Sequence, residues 1–344
     1  MTMKTDIARR SLLMCAPLLA VPLALRAQAA KTLNDRMTGY IGYLHDPVMI
    51  KEGDTYHVFG SGGWKKRALM TWRTSKDLVT WTDNNSPFDS LPDWTKIIVG
   101  GDCCWAPDIS YVNGMYRLYY AISTGGSMRS AIGLAMSKTL DRSSPDYSWH
   151  DQGVVVETHP GDGHNAIDAN FVADKDGKHW LAFGSYWTGL KLLALDPATG
   201  KPLASDPVLR SLAYRPAPDG GDNAIEAAFI YQHNGWYYLF ASYDHCCRKM
   251  ESDYYVACGR SADIAGPYVD REGRSLMEGY GTSVIFDRPY KSHRYIGPGH
   301  CAVVRDGDRD LIVYHAYDTT QDALPTLRIS PISWDAEGWP SAVM

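Results

Sequence analysis

Five side chains able to move a proton or hold a cation stand at comparable places along this chain: Asp46, Asp108, Asp168, Glu226 and His300. Each opens an apolar run, in His45-Asp46-Pro47-Val48-Met49, Pro107-Asp108-Ile109-Ser110-Tyr111, Ile167-Asp168-Ala169-Asn170-Phe171, Ile225-Glu226-Ala227-Ala228-Phe229 and Gly299-His300-Cys301-Ala302-Val303. A carboxyl group set among apolar residues, as Glu226 is, loses hydration, so its neutral form is favoured and its pKa rises. That is the property a proton donor needs near neutral pH. Asp46, between polar His45 and Pro47, is expected to stay ionised, as a base that activates water must. Taken singly, each acid has a plainer reading: a strand-edge Glu facing water, or an Asp that starts a turn before Pro. The repetition argues for more, because acids gathered in one place repel one another unless they share a cation, a ligand or a proton.

The elements that must gather them follow from the spacing. The five anchors lie 62, 60, 58 and 74 residues apart, and each run is followed by a Gly turn and an aromatic-rich strand such as Tyr56-His57-Val58-Phe59 or Trp236-Tyr237-Tyr238-Leu239. Units of this length have room for about four short strands, the size of a propeller blade. No window sustains a 3.6-residue apolar period, while Val/Tyr/Phe-rich runs bounded by Asn-Gly, Asp-Gly or Gly-Gly recur throughout. The reading is all-β, a five-bladed propeller with four-stranded blades. Such a fold brings the innermost strand of every blade to one axis, and with it the anchors.

Residues 1–29 stand apart from that pattern. Lys4, Arg9 and Arg10 precede an apolar stretch, and Ala27-Gln28-Ala29 fits a small-x-small cleavage site, so a signal peptide is expected. Arg9-Arg10 is compatible with a twin-arginine export signal or with an ordinary basic leader. Residues 30–344 are read as one domain, because no linker, charge block or low-complexity run divides them. Loss of the leader removes four basic residues and one acid, moving the net charge from −5 to −8. Nucleic acid and anionic membrane both reward basic patches, so neither is an expected partner. A soluble, periplasmic or secreted monomer is expected. Eleven Trp and 22 Tyr can pack sheets or stack on flat ligands such as sugars. Cys103, Cys104, Cys246, Cys247, Cys258 and Cys301 remain after the leader is lost. Their pairing is open, with a bridge between the two adjacent pairs and unpaired buried thiols both admissible.

Two carboxyl groups of contrasting environment flanking one cleft are the equipment for cleaving a glycosidic bond: one protonates the leaving oxygen, the other prepares the attacking water. The sequence goes further, because it resembles glycoside hydrolase family 43 and, within it, the endo-1,5-α-L-arabinanases. The resemblance runs in order through His45-Asp46-Pro47, Trp105-Ala106-Pro107-Asp108, Ala131-Ile132-Gly133-Leu134-Ala135, Ala166-Ile167-Asp168, Phe183-Gly184-Ser185-Tyr186-Trp187-Thr188-Gly189, Ala224-Ile225-Glu226-Ala227, Cys246-Cys247-Arg248, Gly259-Arg260-Ser261, Gly266-Pro267-Tyr268 and Gly297-Pro298-Gly299-His300.

The resemblance implies an inverting hydrolase of arabinan or arabino-oligosaccharides. It casts Asp46 as general base, Glu226 as general acid and Asp168 as the residue that orients Glu226 and tunes its pKa. Inversion calls for a base and an acid roughly 6.5 to 9.5 Å apart, leaving space for a water. His300 matches the histidine that helps hold a hydrated central cation, taken as Ca2+, and His45 and Trp105 would line the sugar subsite. Asp108 and Arg248 are further candidates for substrate contact, with bracing of the strand and pairing to an acid as their alternatives. Two departures stand out: Ala169 and Ala228 replace the proline usual after two of the motifs, and Gly125 stands where relatives carry an aromatic. A rival reading within the same fold is an exo-acting arabinofuranosidase or β-xylosidase, with residues 158–165 or 276–295 closing one end of the cleft. A rival of another class is a carbohydrate-binding propeller without catalysis, in which the acids are dispensable.

Overall fold

Gly53, Gly114, Gly177, Gly235 and Gly307 all take positive φ, between 58° and 82°, and each sits in the tight turn that joins the first two strands of a sheet. Glycine reaches this conformation without a Cβ penalty, which is why the turn recurs with that residue. The computed structural model describes residues 31–63, 68–217, 220–286 and 294–344. The expected leader, residues 1–29, lies outside them, as does part of the 276–295 segment.

Among the described residues five blade-forming sheets follow one another along the chain, with innermost strands Val48–Glu52, Trp105–Val112, Asn170–Ala173, Ile225–His233 and Tyr295–Asp306, and a small two-stranded antiparallel sheet, Ser333–Trp334 with Pro340–Ser341, comes last. Blades 2, 3 and 4 have four strands each in simple meander order. Blade 1 gains a short parallel outer strand, Thr38–Gly39, and blade 5 supplies three strands of its own. The fourth position of blade 5 is filled from the other end of the chain. Gly42 bridges Thr326, Leu44 N–H donates to Pro325 O at 3.2 Å, and Leu327 N–H donates to Ile41 O at 2.8 Å. The ring is therefore closed by backbone bonds between the beginning and the end of the fold, which leaves fewer open sheet edges.

The core is radial. Every pair of neighbouring blades shares an apolar layer: Leu192 and Leu212 with Ile230 and Leu239 between blades 3 and 4, and Val58 and Trp81 with Leu311 and Leu327 between blades 5 and 1. Corresponding layers join blades 1 and 2, 2 and 3, and 4 and 5.

One backbone device positions the site. Asp46, Ala106, Asp168, Ala227 and His300 all have positive φ, of 53°, 37°, 59°, 58° and 48°. They occupy the same place in the five blades, where the inner strand begins or bulges; pairing skips between Trp105 and Asp108, between Glu226 and Phe229, and between Gly299 and Ala302. A left-handed non-Gly residue costs roughly 1–2 kcal/mol. Here four of the five N–H groups are tied to side chains: Ala106 to Ser61 Oγ at 2.8 Å, Ala227 to Asp168 Oδ2 at 3.1 Å, His300 to Ser242 Oγ at 2.8 Å and Asp46 to His315 Nδ1 at 3.2 Å. Prolines follow the first two positions only, so the conformation persists at Asp168 and Ala227 without them.

The bulge corrects the alignment of the five anchors. Ala106, not Asp108, is the counterpart of Asp46 and Asp168, and Asp108 corresponds to Asn170. Asp108 is 4% exposed and laces blades together: its Oδ2 accepts from Phe171 N–H at 2.8 Å and its Oδ1 from Asn170 Nδ2 at 3.2 Å. Asn170 Oδ1 in turn accepts from Ile230 N–H at 2.8 Å. Glu226 stands one residue before the bulge position of its blade.

Candidate active site

All five blades contribute to one cavity of about 420 Å³, lined by Asp46, Asp168 and Glu226 together with Trp105, His300 and Cys247. Its volume lies in the range of small-ligand sites. Three residues separated by up to 180 positions in sequence thus face the same space.

Asp46 is held from three sides. His45 Nδ1 lies 2.6 Å and His300 Nδ1 3.1 Å from Oδ1, while Ser61 donates its hydroxyl to Oδ2. Burial works against a charge here, but the two imidazoles outweigh it and hold the carboxyl well below its usual range. The same pairing acts in reverse on the imidazoles. Against burial, Asp46 raises His45 to about 10 and His300 to about 9. His315, fully buried, is pushed well below the ordinary His value by burial; its ring stacks on His45 with centroids 3.7 Å apart. Asp46 is thus a carboxylate in a nest of positive charge.

Glu226 has the opposite surroundings. Burial raises its pKa, and hydrogen bonds from Tyr254 Oη to Oε1 and Ser185 Oγ to Oε2, both 2.7 Å, pull less strongly the other way. Asp168 is also raised by burial, opposed by His300 and reinforced by the neighbouring Glu226 and Asp46. Its Oδ2 accepts from Ala227 N–H, so it grips the backbone of the residue after Glu226. One cavity therefore holds a carboxylate whose pKa is lowered beside two carboxyl groups whose pKa is raised.

The sequence profile of the glycosyl hydrolases family 43 matches residues 40–340. The chain belongs to that family. It is similar to the extracellular endo-alpha-(1->5)-L-arabinanase 1 of Bacillus subtilis (strain 168), 42% identical over 300 residues and 87% of each chain. An extracellular exo-alpha-(1->5)-L-arabinofuranosidase of Cellvibrio japonicus is 39% identical over 305 residues, 86% of this chain and 85% of the relative. The solved structure of Cellvibrio cellulosa alpha-L-arabinanase complexed with arabinohexaose superposes with a TM-score of 0.80 at 38% identity, covering 87% of this chain and 95% of that one. This is a glycoside hydrolase with a five-bladed propeller fold.

The remaining sequence candidates of this family 43 hydrolase divide by what their atoms already touch. Trp105 is half-buried and lines the cavity. His45 also lines it, but its nitrogens are committed within the protein: Nδ1 to Asp46, and Nε2 to Tyr317 Oη at 2.8 Å. It braces the Asp46 carboxylate rather than offering a free hydrogen bond to a sugar. Arg248 is half-exposed, with its guanidinium 3.8 Å from Asp222, and Asp108 is spent between blades. Tyr254, Ser61 and His315 escaped sequence reading altogether, while Ser185 lay inside a quoted motif without a role. Tyr254 has one indirect signal, Gly299: a Cβ there would lie 1.9 Å from Tyr254 Cδ1.

The six cysteines among the described residues carry free thiols: Cys103, Cys104, Cys258 and Cys301 are buried, Cys246 is partly exposed and Cys247 exposed. Cys247 is lowered to about 5, first by a hydrogen bond from Cys246 and then by His45, against burial, while Cys246 is raised by the same pairing.

Calcium takes six to eight oxygen ligands. Of the carboxyl oxygens near His300, those of Asp46 are engaged by His45, His300 and Ser61, those of Glu226 by Tyr254 and Ser185, and Asp168 Oδ2 by Ala227 N–H. An ion at His300 would therefore keep most of its water shell and would need His300 in its neutral form as its protein ligand.

Proposed function

We propose that the chain is an exported arabinanase that cleaves internal α-1,5 bonds of arabinan with inversion. The observation supporting this reading is the contrast in charge within one cavity: Asp46 lowered by His45 and His300, Glu226 raised by burial. The names of the relatives point to arabinan, and their extracellular designation agrees with a leader at residues 1–29.

In the proposed reaction an arabinofuranosyl unit lies against the Trp105 indole with its anomeric carbon between the two carboxyl groups. Asp46 takes a proton from water as the water oxygen bonds to that carbon. The glycosidic C–O bond breaks, and the leaving oxygen receives the proton of Glu226. Return of a proton from Asp46 to Glu226 through solvent restores both groups. Asp168 acts by position, gripping Ala227 N–H and disfavouring a second negative charge beside Glu226. A hydrated Ca2+ held by His300 would supply positive charge near the carboxyl groups. The enzyme works as a monomer.

Product analysis on debranched arabinan tests the reading. Early samples should contain oligosaccharides of several lengths, and proton NMR should show the anomer opposite to the substrate. A single short product released from chain ends would favour the exo activity named for the Cellvibrio relative. Retained configuration would overturn the assigned roles.

A further inference from the structure

Beyond the carboxyl groups, the cavity wall carries a second chemistry that the proposed reaction leaves unused. Cys246 Sγ, Cys247 Sγ and one ring nitrogen of His45 all lie within 4.8 Å of one another. We propose that these three side chains form a binding site for a thiophilic d10 cation of the zinc and cadmium class, and that the ion, once bound, switches the hydrolase off.

Geometry supports three ligands on one ion. Zinc binds sulfur at about 2.3 Å and imidazole nitrogen at about 2.0–2.1 Å, so a Cys and a His on one tetrahedral centre stand about 3.6 Å apart. Cys247 Sγ and His45 Nε2 are 3.7 Å apart. Soft thiolates and an imidazole select such ions over calcium or magnesium. The fourth tetrahedral position would hold water.

The surroundings fit a ligand role in a second way. A metal-bound imidazole typically donates its other ring N–H to a carboxylate, which fixes its orientation. His45 Nδ1 already lies 2.6 Å from Asp46 Oδ1. Cys247 is itself held in a left-handed conformation, φ 66°, its N–H bonded to Tyr317 Oη at 2.9 Å. Strained residues of this kind persist where the surrounding structure fixes them, often at functional sites.

The alternative fate of two adjacent thiols, a disulfide, is disfavoured by distance. Neighbouring Cα atoms are about 3.8 Å apart across a trans peptide. Disulfides usually require roughly 4.4–6.8 Å. Among the described residues the only cis peptide is Gly266-Pro267, so the Cys246-Cys247 bond is trans. Both thiols are free in the structure, and Cys247 is exposed to an incoming ion.

Binding expels the His45 Nε2 proton, together with the proton of any thiol not already ionised, and exchanges the His45 bond to Tyr317 for a bond to the metal. The ion would then occupy the wall beside the catalytic base, tied to it through His45. The inhibitory part of the proposal rests on the hydrolase reading; the binding part does not.

The test uses the full reduced chain, titrated anaerobically with Cd2+ and followed by the ultraviolet charge-transfer band of cadmium thiolate. One equivalent should saturate the band. Cys246→Ala and Cys247→Ala should each weaken binding at least a hundredfold, and Cys103→Ala should leave it intact, with circular dichroism reporting the fold of each variant. Stoichiometric Zn2+ should lower turnover of debranched arabinan more than tenfold in the wild type, reversibly with a chelator, whereas Cys247→Ala should keep in zinc the rate it has without zinc. The proposal is overturned if the reduced wild type shows no band, if the band survives in a folded Cys246→Ala/Cys247→Ala variant, or if mass spectrometry of the native chain finds the two thiols joined. Binding with undiminished turnover would remove the inhibitory role.

Discussion

Tyr254→Phe separates a positioning role from a merely structural one. Tyr254 is 1% exposed, donates to Glu226 Oε1 at 2.7 Å, and packs its ring across the backbone at Gly299. The substitution removes a single oxygen and keeps the ring, so the fold should survive. A hydrogen bond to a charged group contributes about 1.5–3 kcal/mol. At about 1.4 kcal/mol per factor of ten in rate, its complete loss from the transition state would cost roughly 10- to 150-fold. Ser185 still holds Oε2, so the lower end applies and kcat should fall about tenfold. KM should hardly move, because a ring this buried cannot reach the sugar. The hydroxyl favours the ionised carboxylate, so without it the Glu226 pKa rises further. The donor then keeps its proton to higher pH, and the alkaline limb of kcat/KM shifts upward. The assay is kcat/KM on debranched arabinan across pH for both proteins, with thermal melts as a check on folding. An alkaline limb that stays in place or moves to lower pH would refute the reasoning, even if the rate falls.

The other expectations follow from the same contacts. Glu226→Gln should lose about 10²- to 10⁴-fold in kcat on arabinan and recover part of it on an aryl arabinofuranoside whose leaving group needs no proton. Asp46→Asn should lose as much on both substrates, because water activation is impaired whatever departs; rescue by the aryl substrate would reverse the assignment. In the wild type, activity should fall as pH rises through the elevated Glu226 pKa, since the donor is then ionised, and should persist on the acid side until Asp46, lowered by His45 and His300, takes up a proton; a pH-rate profile reads both limbs. Asp108→Ala should leave Phe171 N–H and the Asn170 amide without an acceptor, at about 1–3 kcal/mol each, and lower Tm by several degrees with KM little changed; a raised KM at constant Tm would return Asp108 to the substrate. Gly299→Ala should displace Tyr254, which a Cβ would meet at 1.9 Å, and depress kcat at least as far as Tyr254→Phe does.

The blade count, the glycine turns and the gathering of Asp46, Asp168 and Glu226 were legible because a repeat of about sixty residues and a two-residue strand period both leave marks in sequence. Ring closure was not legible: Gly42 pairs with Thr326 through backbone atoms, to which side-chain patterns are blind. Nor was Asp108. Its run resembles the others, and only the skipped register between Trp105 and Asp108 shows that it falls two residues beyond the bulge. Tyr254 was invisible for a related reason, since it reaches Glu226 from a loop 28 positions away and carries no motif of its own.

The register device also explains how one fold shifts neighbouring carboxyl groups in opposite directions. Asp46 and Asp168 occupy the same left-handed position on blades 1 and 3, with nearly the same φ. What differs is the residue before each: His45 places a ring nitrogen 2.6 Å from Asp46, whereas Ile167 gives Asp168 only apolar cover. Blade 5 deepens the contrast, because His300, at the same register again, sits 3.1 Å from Asp46. Glu226 lies one residue earlier on its blade, between Tyr254 and Ser185, where uncharged hydroxyls only partly offset burial. The side chains packed around a repeated backbone position, His45 and His300 at Asp46 and Tyr254 and Ser185 at Glu226, are what set the two carboxyl groups apart. Exchanging Ile167 for a cation would thus move Asp168 toward the state of Asp46 without altering the blade that carries it.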